Sequence, residues 1–528
     1  MTSLREQKVA FVTGHSGTTS LEILLVCLSC PIGLFLYFEV SHLFQINEEK
    51  WVRSAIIEAG LVLLPMAICQ TNMLYNLGLS ILGVELVLAN LLHWHRMMHQ
   101  NKQVKNKMQK SPGNADHFGG DGNVNSVKRL QTVPFVTAYR SSVSYLTFVA
   151  ILAVDFQVFP RRFAKTETHG CGLMDLGAAS FVVANAIVSR HARTAATFQN
   201  SIMPGHSSFR IFKKAVLRSA PIVILGMIRF LATKGLEYQE HVSEYGIHWN
   251  FYFTLALLNI CMPLLGSYTR GAGWFRFGFV FVIMTVYQYV LTWHGVQAFI
   301  EDFPRSCSLD YSMPISIIPI WACDVFVANR EGILGCIGYV VLFLLSEDIA
   351  TFCLWDARMQ IKLKVEKCDA QNDVNKNLDS VSSKIQAEDG KRIAQCCIFF
   401  WTLLVSSDFV YNIPVSRRST NAPFIVWCLA HNLTIMLLIW CAFYLGSMGV
   451  CVNGAKMLMS SPILNAVSRN GLVMFLVANL ITGIVNLSVN TLEANDNTSV
   501  SILFGYLCAV GVIALSLDKI LNLTLRLG

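Results

Sequence analysis

Long apolar runs alternate with polar connections along almost the whole chain. A helix needs about 20 predominantly apolar residues to cross the roughly 30 Å hydrocarbon core of a bilayer, so runs of this length indicate transmembrane helices. The pattern predicts an all-α polytopic membrane protein with about thirteen spans in a single membrane domain covering residues 1–528. The predicted spans are residues 21–45, 53–71, 75–95, 134–155, 172–190, 215–234, 249–268, 277–298, 333–355, 393–410, 424–446, 470–490 and 500–519.

The connections between these spans differ in length and composition. Two long ones, 96–132 and 356–392, are polar and poor in aromatic residues, so we predict flexible cytosolic loops without a folded domain. The apolar run 315–327 contains Pro319 and is too short to cross a bilayer. We expect this run to be interfacial or re-entrant.

Lys and Arg are distributed unevenly between alternate connections. One set, which includes both long loops and the C-terminal tail, carries 29 of these residues, whereas the set that begins with the N-terminus carries 10. Cytoplasmic connections of membrane proteins carry the excess of Lys and Arg. The bias therefore predicts a luminal N-terminus and a cytosolic C-terminus. The sequon Asn497-Thr498-Ser499 falls in a connection on the predicted luminal side, where glycosylation could occur.

Composition agrees with this topology and argues against one class of partner. The chain is 54% hydrophobic and 14% charged, where an ordinary soluble domain carries about 25% charged residues. The formal net charge of +8 follows from the basic cytosolic loops, so membrane topology rather than nucleic-acid binding explains it. Most of the sixteen cysteines lie within apolar runs, and the Cys27–Cys30 pair is in mid-span, which favours packing over a metal site.

Five polar stretches adjoin span ends on the predicted luminal side. They are GHSGTTSLEI (14–23), DFQVFPRRFAKTETHG (155–170), GLEYQEHVSEYGIHWN (235–250), FVANREG (326–332) and SRRSTNAPF (416–424). An ionisable group at membrane depth costs about 2.5–3.5 kcal/mol on insertion scales, so such groups usually line a cavity or pair with one another. We therefore expect a polar cavity on the luminal side.

The stretch 155–170 holds the densest group of charges. Asp155 closes an apolar run, and Arg161, Arg162 and Lys165 follow within ten residues. Simple structural roles are open as well, because Asp155 could end a helix and pair with either arginine. Lys165 could extend to the lipid headgroups.

Structural roles are also open for two other groups. His248 and Asn250 could cap the helix that starts near residue 249. The Asn329-Arg330-Glu331 segment could form a solvated turn at the start of the ninth span. The residues alone therefore indicate a membrane protein with a polar luminal pocket, and they do not indicate its activity.

Several segments closely resemble the PIG-W family, the inositol acyltransferases of GPI-anchor biosynthesis, whose fungal members are called GPI-anchored wall transfer proteins. These segments are AILAVDFQVFPRRFAKTETHGCGLMDLGAASFV (150–182), GLEYQEHVSEYGIHWNF (235–251), ANREGI (328–333) and NLITGIVNLSVNTL (479–492). The similarity covers most spans in order and is weakest in the two long loops. One departure is His15-Ser16-Gly17, where the family commonly has Leu-Asn-Gly, so no role is transferred to His15 or Ser16.

The resemblance implies a multi-pass enzyme of the endoplasmic-reticulum membrane. It implies transfer of a long acyl chain, typically palmitoyl, from palmitoyl-CoA to the inositol 2-hydroxyl of glucosaminyl-phosphatidylinositol, with a luminal reaction. Membrane lipids are the expected surroundings, and acyl-CoA is a co-substrate, so no cofactor or metal is expected. An acid–lysine pair formed by Asp155 and Lys165 is the implied catalytic centre.

The chemistry assigns provisional roles to these residues. Asp155 could accept the proton of the inositol hydroxyl, Lys165 could stabilise the oxyanion of the tetrahedral intermediate, and His248 is the alternative base. Guanidinium groups match phosphate geometry, which makes arginines candidates for binding the lipid headgroup or CoA. The candidate substrate-binding residues are Arg161, Arg162, Asn250, Asn329, Arg330, Arg417 and Arg418.

Three other hypotheses remain open. A lipid or solute transporter would have ionisable residues in mid-span and repeated halves, whereas only Glu85, Arg140 and Arg229 lie well inside spans and no repeat is visible. A non-catalytic lipid-binding subunit would tolerate loss of Asp155. An acyltransferase of the unrelated histidine-dependent class would be most sensitive to loss of His248.

Overall fold

The computed structural model describes residues 14–46, 50–110, 133–194, 208–235, 242–268, 273–307, 320–356, 358–359, 374–448 and 461–524. Within these residues the structure is helical, and β-structure is limited to one antiparallel bridge between Thr18 and Cys171. The α-helices are α1 (Ser20–Cys27), α2 (Ser29–Leu43), α3 (Trp51–Glu58), α4 (Leu64–Cys69), α5 (Leu79–Lys110), α6 (Pro134–Ala153), α7 (Leu173–Ile187), α8 (Arg190–Thr194), α9 (Ser208–Gly235), α10 (Val242–Tyr245), α11 (Phe251–Tyr268), α12 (Gly273–Trp293), α13 (Val296–Asp302), α14 (Ile320–Ala328), α15 (Arg330–Ala350), α16 (Val374–Tyr411), α17 (Ala422–Ser447), α18 (Pro462–Arg469), α19 (Gly471–Ser488) and α20 (Asp496–Leu515).

Short turns of other helix types extend several of these helices. π-helical turns occupy Ala59–Leu63, Leu74–Gly78, Thr351–Trp355 and Ser516–Ile520, and a 3₁₀ turn occupies Arg161–Phe163. Extra residues in π-helical turns shift the side chains that follow, and such turns are frequent at functional sites.

Every predicted span coincides with a helix of the structure. Ten helical segments in the described part of the chain are long and apolar enough to cross a membrane. The remaining three predicted spans fall on α9, α11 and α16. The prediction of an all-α polytopic membrane protein is confirmed, whereas the number of crossings and the orientation of the termini stay predictions.

The segments predicted to be loops are partly helical. Helix α5 continues to Lys110, and α16 starts at Val374, so residues 96–110 and 374–392 are helical rather than irregular. Residues 111–132 lie outside the described residues, as do most of 357–373. In the run 315–327, residues 315–319 also lie outside them, and the rest belongs to the short helix α14.

The centre of the bundle consists of α2, α6, α7, α15 and α17, whose apolar side chains form one continuous core. These central helices bury most of their side chains, whereas α5 and α19 expose apolar side chains on the outside of the bundle. The first residues of α1, α7, α15 and α17 and the last residues of α6 lie at the same end of the bundle, because the loops attached to them contact one another. This end carries the polar residues singled out above.

Candidate functional site

The polar stretches that are far apart in sequence meet at this end of the bundle, which we call the polar face. The amide of Gly170 donates to the Val415 carbonyl at 2.8 Å, and the amide of Ile247 donates to the Ala328 carbonyl at 3.0 Å. The bridge between Thr18 and Cys171 adds the N-terminal stretch. With the ion pairs of Lys165 with Glu244 and of Arg418 with Glu331, these contacts bring all five stretches together.

Asp155 lies just beyond the end of α6 and is half-buried. Asn486 of α19 donates from Nδ2 to its Oδ2 at 2.8 Å. Arg161 is the nearby cation: burial lowers the pKa of Arg161 to about 10, and the charge of Asp155 opposes that shift. The structural alternative, in which Asp155 interacts with Arg161, thus has support in the structure.

Arg161 and Arg162 have different partners. Arg161 donates to three backbone carbonyls of the chain that follows α6, those of Val154, Phe156 and Phe159, at 2.8–3.1 Å. Arg162 instead donates to both carboxylate oxygens of Glu22 at 2.8–3.0 Å, and this bond raises the pKa of Arg162. Arg161 therefore holds the loop, whereas the Arg162 side chain keeps 40% of its surface exposed.

Lys165 forms its ion pair with Glu244, not with Asp155. Its Nζ lies 2.7 Å from Oε1 and 2.8 Å from Oε2 of Glu244 in α10. The acid–lysine pair expected from the sequence is therefore divided in this structure: Asp155 contacts Asn486, and the Lys165 ammonium contacts a carboxylate 79 residues further along the chain.

A fully buried acid, Asp175, lies behind Lys165 at the start of α7. Its Oδ2 accepts bonds from the amide and hydroxyl of Thr166 and from the amide of Gly172, at 2.8–3.1 Å. Its Oδ1 lies 2.6 Å from Nε of Arg417. A Cβ at Gly172 would lie 2.6 Å from Asp175 Oδ2 and 2.4 Å from the Ala164 carbonyl oxygen, which explains the glycine. Asp175 thus fixes the loop that carries Lys165.

Arg417 completes this cluster from the loop before α17. Burial alone would lower its pKa, but the carboxylates of Asp175 and Glu244 raise the pKa of Arg417 above its ordinary value. The guanidinium lies over the ring of Tyr245, 5.8 Å from its centroid. Burial raises the pKa of Tyr245 to about 12, so the phenol stays protonated at neutral pH. We call Lys165, Asp175, Glu244, Tyr245 and Arg417 the charged cluster.

A second buried acid, Glu331, organises the next part of the polar face. Its Oε1 accepts bonds from Arg305 at 2.7 Å and from Arg418 at 2.9 Å. Arg330 is 1% exposed and donates to the Ile300 carbonyl at 3.0 Å. The expectation of a solvated turn at 329–331 is wrong, because these side chains are buried and two arginines neutralise the acid.

His248 and its neighbours lie further along the same face. The His248 side chain is exposed, and its amide donates to Oδ1 of Asn329 at 2.7 Å. Asn250 accepts bonds from the amides of Tyr252 and Phe253 at 3.1 and 3.3 Å, so it caps α11. The capping alternative is confirmed for Asn250, and roles of these residues in substrate binding stay predictions.

Comparison with known sequences now identifies the family. The GWT1 family model matches residues 4–517. This chain belongs to the GWT1 family. The protein is 31% identical to GPI-anchored wall transfer protein 1 of Candida albicans over 98% of both chains. It is 33% identical to the Gibberella zeae protein of that name over 99% of both chains, and 32% identical to the one from Candida glabrata over 98% of this chain and 99% of the relative.

Two further features of this GWT1-family protein adjoin the charged residues. A disulfide joins Cys307 to Cys323, close to Arg305 in sequence. An open depression of about 750 Å³ lies beside the chain that follows Asp155, lined by Met73, Gln157 and residues 492–497. The depression is open at the edge of the polar face that carries Gln157.

Sequence reasoning missed three acids that the structure places in or beside the site, and it assigned a fourth, Glu331, to a solvated turn although this side chain is buried. Glu22, Asp175 and Glu244 pair with Arg162, Arg417 and Lys165 respectively, and Glu331 pairs with two arginines. Asp175 had a detectable signal, because it follows Gly172 by three residues at the start of an apolar run, which is the spacing of a helix cap. No local pattern in the sequence pairs Glu244 with Lys165.

Proposed function

We propose that this GWT1-family protein is an inositol O-acyltransferase of GPI-anchor biosynthesis in the endoplasmic-reticulum membrane. It transfers a long acyl chain, typically palmitoyl, from acyl-CoA to the inositol 2-hydroxyl of glucosaminyl-phosphatidylinositol. The observation that carries the proposal is the nearly end-to-end match to proteins named GPI-anchored wall transfer protein 1. The half-buried acid and ammonium on the polar face supply groups that acyl transfer needs.

Orientation of the polar face towards the lumen is supported by the disulfide between Cys307 and Cys323. Disulfides persist in oxidising compartments such as the lumen of the endoplasmic reticulum and are rare in the cytosol. Cys307 directly precedes the undescribed part of the loop before α14, and the bias of Lys and Arg independently assigns that loop to the lumen. The two arguments agree.

Asp155 is the proposed general base. It would accept the proton of the inositol 2-hydroxyl as the oxygen attacks the thioester carbonyl carbon, and the carbon–sulfur bond would then break to release the CoA thiolate, which takes up a proton. Asn486 donates a hydrogen bond to the carboxylate, and the open depression lined by Gln157 lies two residues further along the chain. His248 is the alternative base, because its side chain is exposed on the same face.

Lys165 is the proposed oxyanion stabiliser. A fixed donor at the developing oxyanion contributes about 2.7–4 kcal/mol to acyl transfer. The charged cluster holds the Lys165 ammonium in place through Glu244, while 37% of the lysine side chain remains exposed to a substrate. Arg162 is better placed to bind phosphate than Arg330, Arg417 and Arg418, since 40% of its side chain is exposed, against at most 9% for those three.

The transporter hypothesis gains no support from Glu58, an ionisable residue inside the bundle. The sequence-based expectation overlooked Glu58, which is fully buried in the second span. Its carboxylate accepts bonds from the amides of Ile463 and Leu464 at 2.9 and 3.1 Å. Glu58 thus stabilises the first turn of α18, where backbone amides lack partners within the helix.

The test is complementation in a yeast strain that lacks its own GWT1-family protein. Lipid extracts are analysed by mass spectrometry for inositol-acylated glucosaminyl-phosphatidylinositol. The intact protein should restore the acylated lipid, and Asp155→Asn and Lys165→Ala, expressed at equal levels, should leave the unacylated lipid. Restoration by both variants would refute the proposed roles of Asp155 and Lys165. Failure of the intact, expressed protein to restore the acylated lipid would refute the proposed function.

A further inference from the structure

The proposed base, Asp155, lies in a turn two residues beyond the end of α6 at Ala153. Its amide donates to the Leu152 carbonyl at 3.2 Å, and the next amide, of Phe156, donates to the Ala153 carbonyl at 2.9 Å. The carbonyl groups at the end of a helix need partners from outside it, because the helix supplies none. In the turn that carries Asp155, Arg161 is such a partner.

The guanidinium of Arg161 binds the peptide groups on both sides of Asp155. It donates from Nη1 to the Val154 carbonyl at 3.0 Å and from Nη2 to the Phe156 carbonyl at 2.8 Å. Nε and Nη2 also donate to the Phe159 carbonyl, at 3.1 and 2.9 Å. Because the guanidinium is planar and rigid, these bonds fix the backbone that sets the direction of the Asp155 side chain. Nε and both Nη atoms are engaged, so the fork that would bind a phosphate is already in use.

A second restraint acts on the carboxylate itself. Asn486 lies two residues before the end of α19 and donates from Nδ2 to Asp155 Oδ2 at 2.8 Å. Because an ionised carboxylate only accepts hydrogen bonds, the amide nitrogen is the group that faces it. Helix α19 packs against α6, with the ring centroids of Phe475 and Phe148 6.3 Å apart. The packing of these two helices therefore sets the position of the amide relative to Asp155.

We propose that Arg161 and Asn486 are positioning residues for Asp155, Arg161 through the backbone and Asn486 through the carboxylate. The catalytic part of this inference rests on the proposed function. A base must lie within hydrogen-bond reach of the hydroxyl that it deprotonates, and a displacement of about 1 Å can cost about 10²-fold in rate. Without the two residues, the Asp155 side chain would occupy several rotamers, of which few would reach the hydroxyl. This role replaces phosphate binding as the assignment of Arg161.

The test uses Arg161→Gln and Asn486→Leu, each with a matched control. Arg96 also binds three backbone carbonyls at a helix end, that of α17, and it forms an ion pair with Glu39. Asn479 lies seven residues before Asn486 in α19, and its amide donates to a carbonyl of its own helix. Arg96→Gln and Asn479→Leu therefore remove similar hydrogen bonds that do not involve Asp155 or its turn.

Purified protein in nanodiscs is assayed with palmitoyl-CoA and glucosaminyl-phosphatidylinositol. Arg161→Gln and Asn486→Leu should each lower kcat at least tenfold and change either KM less than twofold, because they misplace the base. Both control variants should keep kcat within twofold of the intact protein, even where they lower the unfolding temperature. In the Asp155→Asn background, neither Arg161→Gln nor Asn486→Leu should lower the residual kcat further, since no base is left to position. A merely structural role would give additive losses.

Hydrogen exchange followed by mass spectrometry tests the restraint without any reaction. In Arg161→Gln, the amides of residues 155–159 should exchange at least tenfold faster than in the intact protein, whereas Arg96→Gln should leave them unchanged. Unchanged exchange in Arg161→Gln would overturn the restraint by Arg161.

The activity measurements test each residue separately. A kcat within twofold of the intact protein in Arg161→Gln or in Asn486→Leu, or additive losses with Asp155→Asn, would overturn the positioning role of that residue. Absence of acyl transfer by the intact protein would instead refute the proposed function and the catalytic part of the inference, and the exchange measurement would still decide whether Arg161 holds the turn.

Discussion

The buried pair of Asp175 and Arg417 allows the sharpest prediction about stability. The side chains are 1% and 4% exposed, and Asp175 also accepts three bonds from Thr166 and Gly172. Asp175→Asn keeps the shape of the side chain and one acceptor oxygen but removes the charge opposite Arg417. Breaking a buried ion pair by removing one partner costs about 3–5 kcal/mol, because the remaining charge is left uncompensated. We expect a loss of that size in the free energy of unfolding.

The assay is a denaturant unfolding series in detergent, with Asp175→Asn, Arg417→Gln, the double variant and Thr166→Val as the control. Thr166→Val removes one donor to the carboxylate, so it should cost about 1 kcal/mol. The double variant should be more stable than Asp175→Asn alone, since it leaves no unpaired charge, and the cycle should give a coupling energy above about 1 kcal/mol. Additive effects, or an Asp175→Asn variant as stable as the intact protein, would refute the assignment of a coupled buried pair.

The remaining predictions concern the polar face. Glu244→Gln and Lys165→Met should each lower kcat. The double variant should have the same kcat as Lys165→Met, because the Glu244 carboxylate acts through the Lys165 ammonium. Additive losses in a double-mutant cycle would contradict this prediction. Asp155→Asn should lower kcat by about 10²–10⁴-fold and His248→Ala by less than tenfold. The reverse order would indicate the histidine-dependent class. The disulfide of Cys307 closes a loop of 16 residues, so Cys307→Ser should cost about 3 kcal/mol of stability. In the denatured protein, maleimide should label Cys307 only after reduction, whereas it should label Cys261 without reduction.

The architecture was predictable because a bilayer imposes a length on every span. Apolar runs of about 20 residues identify transmembrane helices by themselves, and each predicted span coincides with a helix. The boundaries of the loops were less predictable. The polar continuation of α5 to Lys110 carries no apolar stripe, so a search for apolar runs ends before the helix does.

Several ionisable residues of the polar face were predictable, whereas their acidic partners and the pairing were not. Asp155, Lys165 and Arg417 were identified from the sequence. Their partners lie in helices elsewhere in the chain, in α19, α10 and α7 respectively. The pair of Asp155 and Lys165 was implied by the resemblance to the PIG-W family, whereas the fold brings Glu244 to the lysine. Burial of Glu331 was missed because only the folded chain supplies its arginines.

The central claim is tested most directly by acyl transfer with the purified protein. The protein is reconstituted in nanodiscs with palmitoyl-CoA and glucosaminyl-phosphatidylinositol, and the product is detected by mass spectrometry. We expect palmitoylated inositol lipid and equimolar free CoA from the intact protein, and at least a hundredfold less of both from Asp155→Asn. Absence of the acylated lipid with the intact, folded protein would contradict the proposed function, and full activity of Asp155→Asn would contradict the proposed base.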